Sequence, residues 1–394
     1  MGHMLSCLHY LSAAWAAVLL AGLWACALAT FRHFGRNASS NQSSFAEKMT
    51  LIRPIRGLND GIREALESIA ESDIQRRFEI LIAMESSDDP AYPIAVGFSQ
   101  YKADRNVSIV LTGPSKDRMG KIHNMIEAFP KAKNPFIVFS DADAWANPAL
   151  IRETSRAFGS GYDAVFALPY FADPRNAAEM SFAVALNHGF STPAALSYYL
   201  FNFPFCAGAW MGFSKNIIEK IGGLESFEKR IADDYALGMA VVKAGGKHAF
   251  LSRPVFFRET TTSVKDTFQH LSKWASIIHS CLPNLYWIAP LFSPTHASLL
   301  FLIIAWASHW HVLAALILFT ATILSRILVG VIQDLRIARA AMPFYSYLGI
   351  PLFDFIATGI WLSGFRRNIH WRNKSYRLSR GCKAEVLNAD LLSN

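Results

Sequence analysis

The stretch Pro135-Phe-Ile-Val-Phe-Ser-Asp-Ala-Asp-Ala144 decides the fold, because an apolar run of strand length breaks abruptly into two carboxylates spaced two apart. Short apolar runs rich in β-branched and aromatic residues read as buried strands. Working outward, Met49-Thr-Leu-Ile52, Phe78-Glu-Ile-Leu-Ile-Ala83, Val107-Ser-Ile-Val-Leu111 and Ala164-Val-Phe-Ala-Leu168 share this texture. Helical patterns separate several of them, as at Gly61–Ser72 and Lys121–Pro130. Strand and helix in alternation predict an α/β domain, a mostly parallel sheet flanked by helices. Ligands then bind beyond the carboxyl ends of the strands, so chemistry belongs in the loops that follow them.

Those loops are acidic. Glu85, Asp88 and Asp89 follow the second strand, Asp141 and Asp143 the fourth, and Asp233-Asp234 stand in Ile231-Ala-Asp-Asp-Tyr235. Carboxylates two apart at a strand end aim hard oxygen ligands at one Mg²⁺ or Mn²⁺ that also grips a diphosphate. Asn147-Pro148, four residues on, reads as an N-cap and first-turn proline, which is compatible with that role. Asp233-Asp234 either favour a helix dipole or supply a general base. In Gln269-His270-Leu-Ser-Lys273-Trp274, helical spacing puts His270, Lys273 and Trp274 on one face, as in an amphipathic helix at a bilayer surface. The glycines of Gly113-Pro-Ser-Lys-Asp-Arg-Met-Gly120-Lys121 are wrongly spaced for a P-loop, and there is no GxGxxG.

The ends of the chain have another character. Leu8–Phe31 carries no Asp, Glu, Lys or Arg, and about 20 such residues cross a bilayer core as a helix. Arg32, His33 and Arg36 follow it, so the positive-inside rule places the rest of the chain in the cytosol. Further apolar runs cover Leu285–Ala307, His311–Ile332 and Tyr345–Gly364. Arg326, Arg336 and Arg339 lie near the end of the second and a basic cluster follows the third, which predicts that the third, with Pro351 and Asp354 inside it, is a re-entrant or interfacial segment or a broken helix. One span before the central domain and two after it is the expectation. The domains are then an anchor (1–34), a linker (35–48), a catalytic domain (49–265), an interfacial helix (266–284), a transmembrane or re-entrant region (285–365) and a basic cytosolic tail (366–394). Asn37 and Asn41 head glycosylation sequons that stay bare on the cytosolic side.

Of 394 residues, 52% are apolar and only 17% charged, which excludes disorder. The net charge of +8 gathers beside the apolar stretches, which suits an anionic membrane surface and not nucleic acid. Five scattered cysteines argue against a disulfide framework or structural zinc.

Taken together, these segments resemble the ceramide glucosyltransferase family of inverting GT-A glycosyltransferases. The resemblance rests on Leu51-Ile-Arg-Pro-Ile-Arg-Gly57, Ser87-Asp-Asp-Pro-Ala91, Gly120-Lys-Ile-His-Asn124, the acid pair Asp141 and Asp143, Leu168-Pro-Tyr170, Gly222-Gly-Leu224, Ile231-Ala-Asp-Asp-Tyr235 and Trp371-Arg-Asn-Lys-Ser-Tyr-Arg-Leu378. It implies a GT-A type fold in which Glu85 and Asp88 contact uridine, Lys121 and Asp233 lie on the donor side, and Asp141 with Asp143 holds metal and diphosphate. It makes Asp234 the base that deprotonates the acceptor hydroxyl. The family's (Q/R)xxRW motif falls on His270-Leu-Ser-Lys273-Trp274, where lysine, a point charge, stands in place of a bidentate arginine.

The implied activity is transfer of a hexose, glucose foremost, from a UDP-sugar to the hydroxyl of a ceramide-like membrane lipid, with a divalent cation (Mg or Mn). Diacylglycerol and a hopanoid polyol are alternative acceptors. A polysaccharide synthase shares the acids but needs more membrane helices for a polymer channel.

Overall fold

The structure is a computed structural model that describes residues 2–35, 45, 48–58, 61–73, 75–102, 106–204, 206–258, 263–339, 341–371 and 374–387. The chain forms two compact units, one of Met1–Gly35, Arg175–Ser197 and Thr262–Arg367, the other of Arg36–Pro174, Tyr198–Thr261 and Asn368–Asn394.

Among the described residues the second unit holds thirteen strands: β1 (Met49–Pro54), β2 (Phe78–Met84), β3 (Asn106–Leu111), β4 (Phe136–Phe139), β5 (Ala144–Trp145), β6 (Ala164–Phe166), β7 (Pro169–Phe171), β8 (Met211–Ser214), β9 (His248–Phe250), β10 (Val255–Phe257), β11 (Asn368–Trp371), β12 (Lys374–Ser379) and β13 (Lys383–Leu387). Seven of them form one sheet in the order β3-β2-β1-β4-β8-β6-β9. β1 to β4 pair in parallel and β9 is parallel to β6, while β8 runs antiparallel between β4 and β6. The mostly parallel, helix-flanked sheet expected from the sequence is present, with all five expected strands in it. β2 is buried at every position and β1 at all but the last, which is why both read as mostly apolar runs. β8 and β9 span only four and three residues, too short for periodicity to register. As expected, Asn147 caps the helix Pro148–Gly159, accepting from the Leu150 amide at 2.9 Å.

The expected basic tail at 366–394 is different in kind. Residues 368–371 and 374–387 form an antiparallel sheet in the order β11-β12-β13 that belongs to this unit. Ile369, Tyr376, Leu378 and Ala384 are buried between polar or charged neighbours, a period-two alternation that makes one face of a strand apolar. Arg372 and residues 388–394 lie outside the described residues, as does nearly all of the linker with its two sequons.

The first unit is helical. Ser6–Phe34, Val312–Ile337 and Phe344–Ser363 are long and apolar enough to cross a membrane. The broken element is the first C-terminal run, where Pro283–Phe292 and Pro294–Ser308 meet at 54°. This corrects the expectation of a break in the third run, which is one continuous helix through Pro351. The reason is charge neutralisation. Asp354 does not open the helix, because Arg326 Nη2 and Nε donate to its two oxygens at 2.6 and 2.9 Å and Thr295 donates to it at 2.5 Å. Arg326 is therefore a buried partner and not a flanking topological charge. At the first run, Pro294 has no amide to continue a helix, and Ser293 caps a new one.

Residues 175–197, expected inside the catalytic segment, group with this helical unit as Ala177–Ala183 followed by a π-helical stretch, Val184–Phe190. The expected interfacial helix is Val264–Cys281, capped by Ser263. Cys7, Cys26 and Cys206 are free thiols.

Candidate active site

The site lies past the carboxyl end of β4. Asp141 and Asp143 follow that strand directly, Lys121 sits in the first turn of the helix Gly120–Ala128, and Asp233 and Asp234 open the helix Asp233–Lys243. Lys121 Nζ is 2.7 Å from Asp141 Oδ1 and 3.8 Å from Asp233 Oδ2. Asp234 is gripped by main chain, its Oδ2 accepting from the Gly208 amide at 2.9 Å and its Oδ1 from the Tyr235 amide at 2.7 Å.

Gly208 is the hub. A Cβ there would stand 3.3 Å from Asp141 Oδ2 and 3.6 Å from Asp234 Oδ2, and would overlap the Lys121 ammonium. Two carboxylates far apart in sequence and the lysine between them thus face one point, and any side chain at 208 would fill it.

Acid outnumbers base in this cluster. Burial alone would lower the Lys121 ammonium, but Asp141, Asp233 and Asp234 outweigh it and hold the amine above its ordinary value. Asp233 is pushed up to about 6 by burial and by the charges of Asp234 and Asp141, with Lys121 opposing. Asp234 is likewise raised, chiefly by burial, against the pull of Lys121 and its two amide donors. Asp233 Oδ2 is buried without a hydrogen-bond partner. Such perturbed groups in one cluster mark a functional site.

Beneath the Asp141–Asp143 loop lies Arg53 of β1, fully buried. Its Nη2 donates to Ser140 Oγ at 3.1 Å and to the Ala144 carbonyl, bracing the loop at both ends. Burial lowers its guanidinium to about 10, with Asp143 and Asp141 opposing. Neither Arg53 nor Gly208 was assigned a role from sequence. A lone arginine within the apolar run Leu51-Ile-Arg-Pro-Ile55 was the available signal for the first, because a buried charge implies a partner. Nothing local marks Gly208, whose importance arises from what converges on it.

Glu85 pairs with Arg56 at 3.3 Å, and both reach the Gly120 position beside Lys121, where a Cβ would be 3.4 Å from Glu85 Oε1. Asp88 is exposed and accepts locally from Ser86 at 3.0 Å. Its neighbour Asp89 does structural work, accepting from the Gly57 amide at 2.9 and 3.0 Å. His270, Lys273 and Trp274 belong to the helical unit, where the rings of His270 and Trp274 pack edge to face at 4.8 Å and both contact Phe182.

The donor set tests the expected cation. Asp141, Asp143 and the orphaned Asp233 oxygen are hard ligands of the kind Mg²⁺ or Mn²⁺ takes. Among the described residues, no three His, Cys, Asp or Glu side chains gather closely enough to hold a metal by themselves. The residues fit such an ion only if oxygens from a bound ligand complete its shell, as a diphosphate would.

The chain is 24% identical over 248 residues to ceramide glucosyltransferase 1 of Caenorhabditis elegans, a match covering 62% of this chain and 52% of the relative. It is also 24% identical to ceramide glucosyltransferase 3 of the same organism over 247 residues, 62% of this chain and 53% of that one. The match spans about half the length of these curated relatives. Among solved structures, a mannosyltransferase from Pyrobaculum calidifontis in complex with GDP-Man and Mn²⁺ is similar at a TM-score of 0.47 and 17% identity, covering 90% of this chain and 99% of that one. The sequence profile of glycosyl transferase family 21 matches residues 13–384, nearly the whole length, and the chain therefore belongs to that family.

Proposed function

We propose that the protein is a membrane-bound inverting glycosyltransferase that moves a hexose, glucose foremost, from a UDP-sugar to the hydroxyl of a ceramide-like lipid. The observation that carries the reading is the convergence of Lys121, Asp141 and Asp234 on the space kept open by Gly208. The names of the Caenorhabditis relatives favour a ceramide-like acceptor, and the three apolar helices favour a lipid one.

Asp234 is the general base. Its two amide hydrogen bonds fix the carboxylate while leaving a lone pair for the acceptor hydroxyl. The deprotonated oxygen attacks the anomeric carbon on the face opposite the diphosphate, so an α-linked donor gives a β-glycoside. Lys121 offers its charge to the departing diphosphate, and Arg53 holds Asp141 and Asp143 in place beneath it. A divalent cation bound by Asp141, Asp143 and diphosphate oxygens would supply Lewis-acid stabilisation of the leaving group. Glu85, next to Gly120, is placed for the nucleoside end of the donor and Asp88 extends that edge. Asp233 stands on the donor side of Asp234. By resemblance alone, His270, Lys273 and Trp274 take the role of the family's (Q/R)xxRW motif, with Lys273 as its cation. The sheet-bearing unit works on the cytosolic face, where UDP-sugars are made.

The test is to incubate membranes containing the protein with labelled UDP-sugars and identify the labelled lipid by mass spectrometry. A β-hexosyl sphingolipid is the expected product. A labelled diacylglycerol or hopanoid would change the acceptor, and a soluble glucan would replace this reading with a polysaccharide synthase. Asp234→Ala is expected to abolish transfer while UDP-sugar binding persists.

A further inference from the structure

The segment that delivers the acids has little structure of its own. Lys229–Ile231 lies between a single 3₁₀ turn, Leu224–Phe227, and the helix that starts at Asp233. Its pairing comes from the C-terminal sheet. The Ile231 amide donates to the Cys382 carbonyl at 2.9 Å and the Ala384 amide to the Lys229 carbonyl at 3.0 Å, a strand-like bridge centred on Arg230 and Lys383. The Arg230 guanidinium donates to the Gly381 carbonyl. Gly381 and Cys382 adopt φ of 80° and 62°, so the turn that receives these bonds is left-handed at two successive residues. A non-glycine residue holds such a conformation only where its surroundings enforce it.

The same sheet reaches the loop that leads to Lys121. Lys374 Nζ on β12 donates to the Lys116 carbonyl at 3.0 Å and to Ser115 Oγ at 3.4 Å. Ser115 Oγ is 4.0 Å from the Cβ position of Gly120, the residue before Lys121, and Lys116 is itself left-handed at φ 46°. The two loops also join each other, Met119 N donating to Glu228 O at 3.2 Å and Arg118 Nε to Glu228 Oε2 at 3.0 Å.

We infer that the β11–β13 sheet is a positioning clamp for the catalytic loops, with Lys374 setting the loop before Lys121 and Arg230 locking the turn that holds the strand before Asp233 and Asp234. Two side chains and two main-chain bonds fix both approaches to the site from one small module. Because a displacement near 1 Å of a reacting group can cost a factor of about a hundred, a module that touches no substrate can still govern turnover. The inference rests on the proposed transferase reading for its kinetic consequence but not for its structural one.

The experiment uses the full-length protein in nanodiscs, with UDP-glucose and a short-chain ceramide as probes. Arg230→Met and Lys374→Met are each expected to lower kcat by about tenfold while the KM for UDP-glucose changes less than about threefold, since the clamp orients groups and does not bind donor. Lys374→Arg, which keeps a cationic donor, is expected to restore most of the loss. Hydrogen–deuterium exchange supplies the second measurement, with protection expected to fall in 114–121 and 228–236 and to stay unchanged in β1 and β2. Wild-type exchange protection with wild-type kcat in both methionine variants would overturn the inference. So would exchange rising across the whole sheet, which marks general destabilisation. If wild type transfers no sugar at all, the functional reading fails, and the exchange data alone decide whether the clamp exists.

Discussion

Two charge clusters, a buried one in the helical unit and a half-buried one in the sheet unit, are built to opposite rules. In the helical unit Arg326 and Asp354 form a bidentate pair, one positive to one negative, with Thr295 also donating to Asp354. In the sheet unit Lys121 faces Asp141, Asp233 and Asp234, and the buried Asp233 Oδ2 has no hydrogen-bond partner. A balanced pair inside apolar surroundings holds helices together and offers nothing to a ligand. An excess of carboxylate around one lysine instead stores unfavourable electrostatic energy, which a bound cation would relieve. Charge balance, more than burial, separates architecture from chemistry here.

The comparison breaks first at Asp234, the proposed base. Asp234→Asn keeps the shape and removes the proton acceptor, so kcat/KM is expected to fall by about a thousandfold with donor affinity nearly unchanged. Steady-state transfer and donor titration check it. If activity survives, the unbalanced cluster is not the catalytic one.

On the other side, Arg326→Leu strands a buried carboxylate and is expected to destabilise the protein by about 3 kcal/mol or more, read as a lower melting temperature in detergent. The double variant Arg326→Leu with Asp354→Leu is expected to recover most of that loss. A double variant no better than the single one would show that the pair is more than an architectural match.

Gly208→Ala tests the hub. The added methyl meets Lys121, Asp141 and Asp234 together, and a loss of about a hundredfold in kcat follows from their displacement. Stability measured by thermal melting should change little by comparison, because the crowding is local.

The smallest effect is on pH. Asp233 and Asp234 are acids held above their ordinary values, Asp233 near 6, so the carboxylates protonate earlier than exposed ones as pH falls. The acidic limb of the kcat profile is expected near pH 6, with activity present above it and lost below. Lys121 opposes the upward shift of both acids, so in Lys121→Met the limb moves to higher pH. A limb moving downward would place the titrating group elsewhere.

Much of this was legible in the chain. The strand runs, the Asn147 cap and the acids at strand ends were readable because each depends on neighbours in sequence, and two of the three long helices, Ser6–Phe34 and Val312–Ile337, because bilayer thickness demands long apolar runs. The third C-terminal run misled for a definite reason. Asp354 argues for a broken helix only while its partner is unknown, and Arg326 lies 28 residues away on another helix. The tail misled similarly, its arginines and lysines outweighing the alternation of Tyr376 and Leu378.

Local pattern, then, determined which segments are strand, helix or membrane-length, and which loops carry acid, because periodicity and propensity act over a few residues. Tertiary structure alone decided that Asp141 and Asp234 share a point with Lys121, that Gly208 must be glycine, that Arg53 braces the acidic loop from below, and that β11–β13 folds onto the loops before Lys121 and Asp233. Those facts are relations between residues about 20 to 260 apart, and no local propensity encodes a distance that only the packed chain creates.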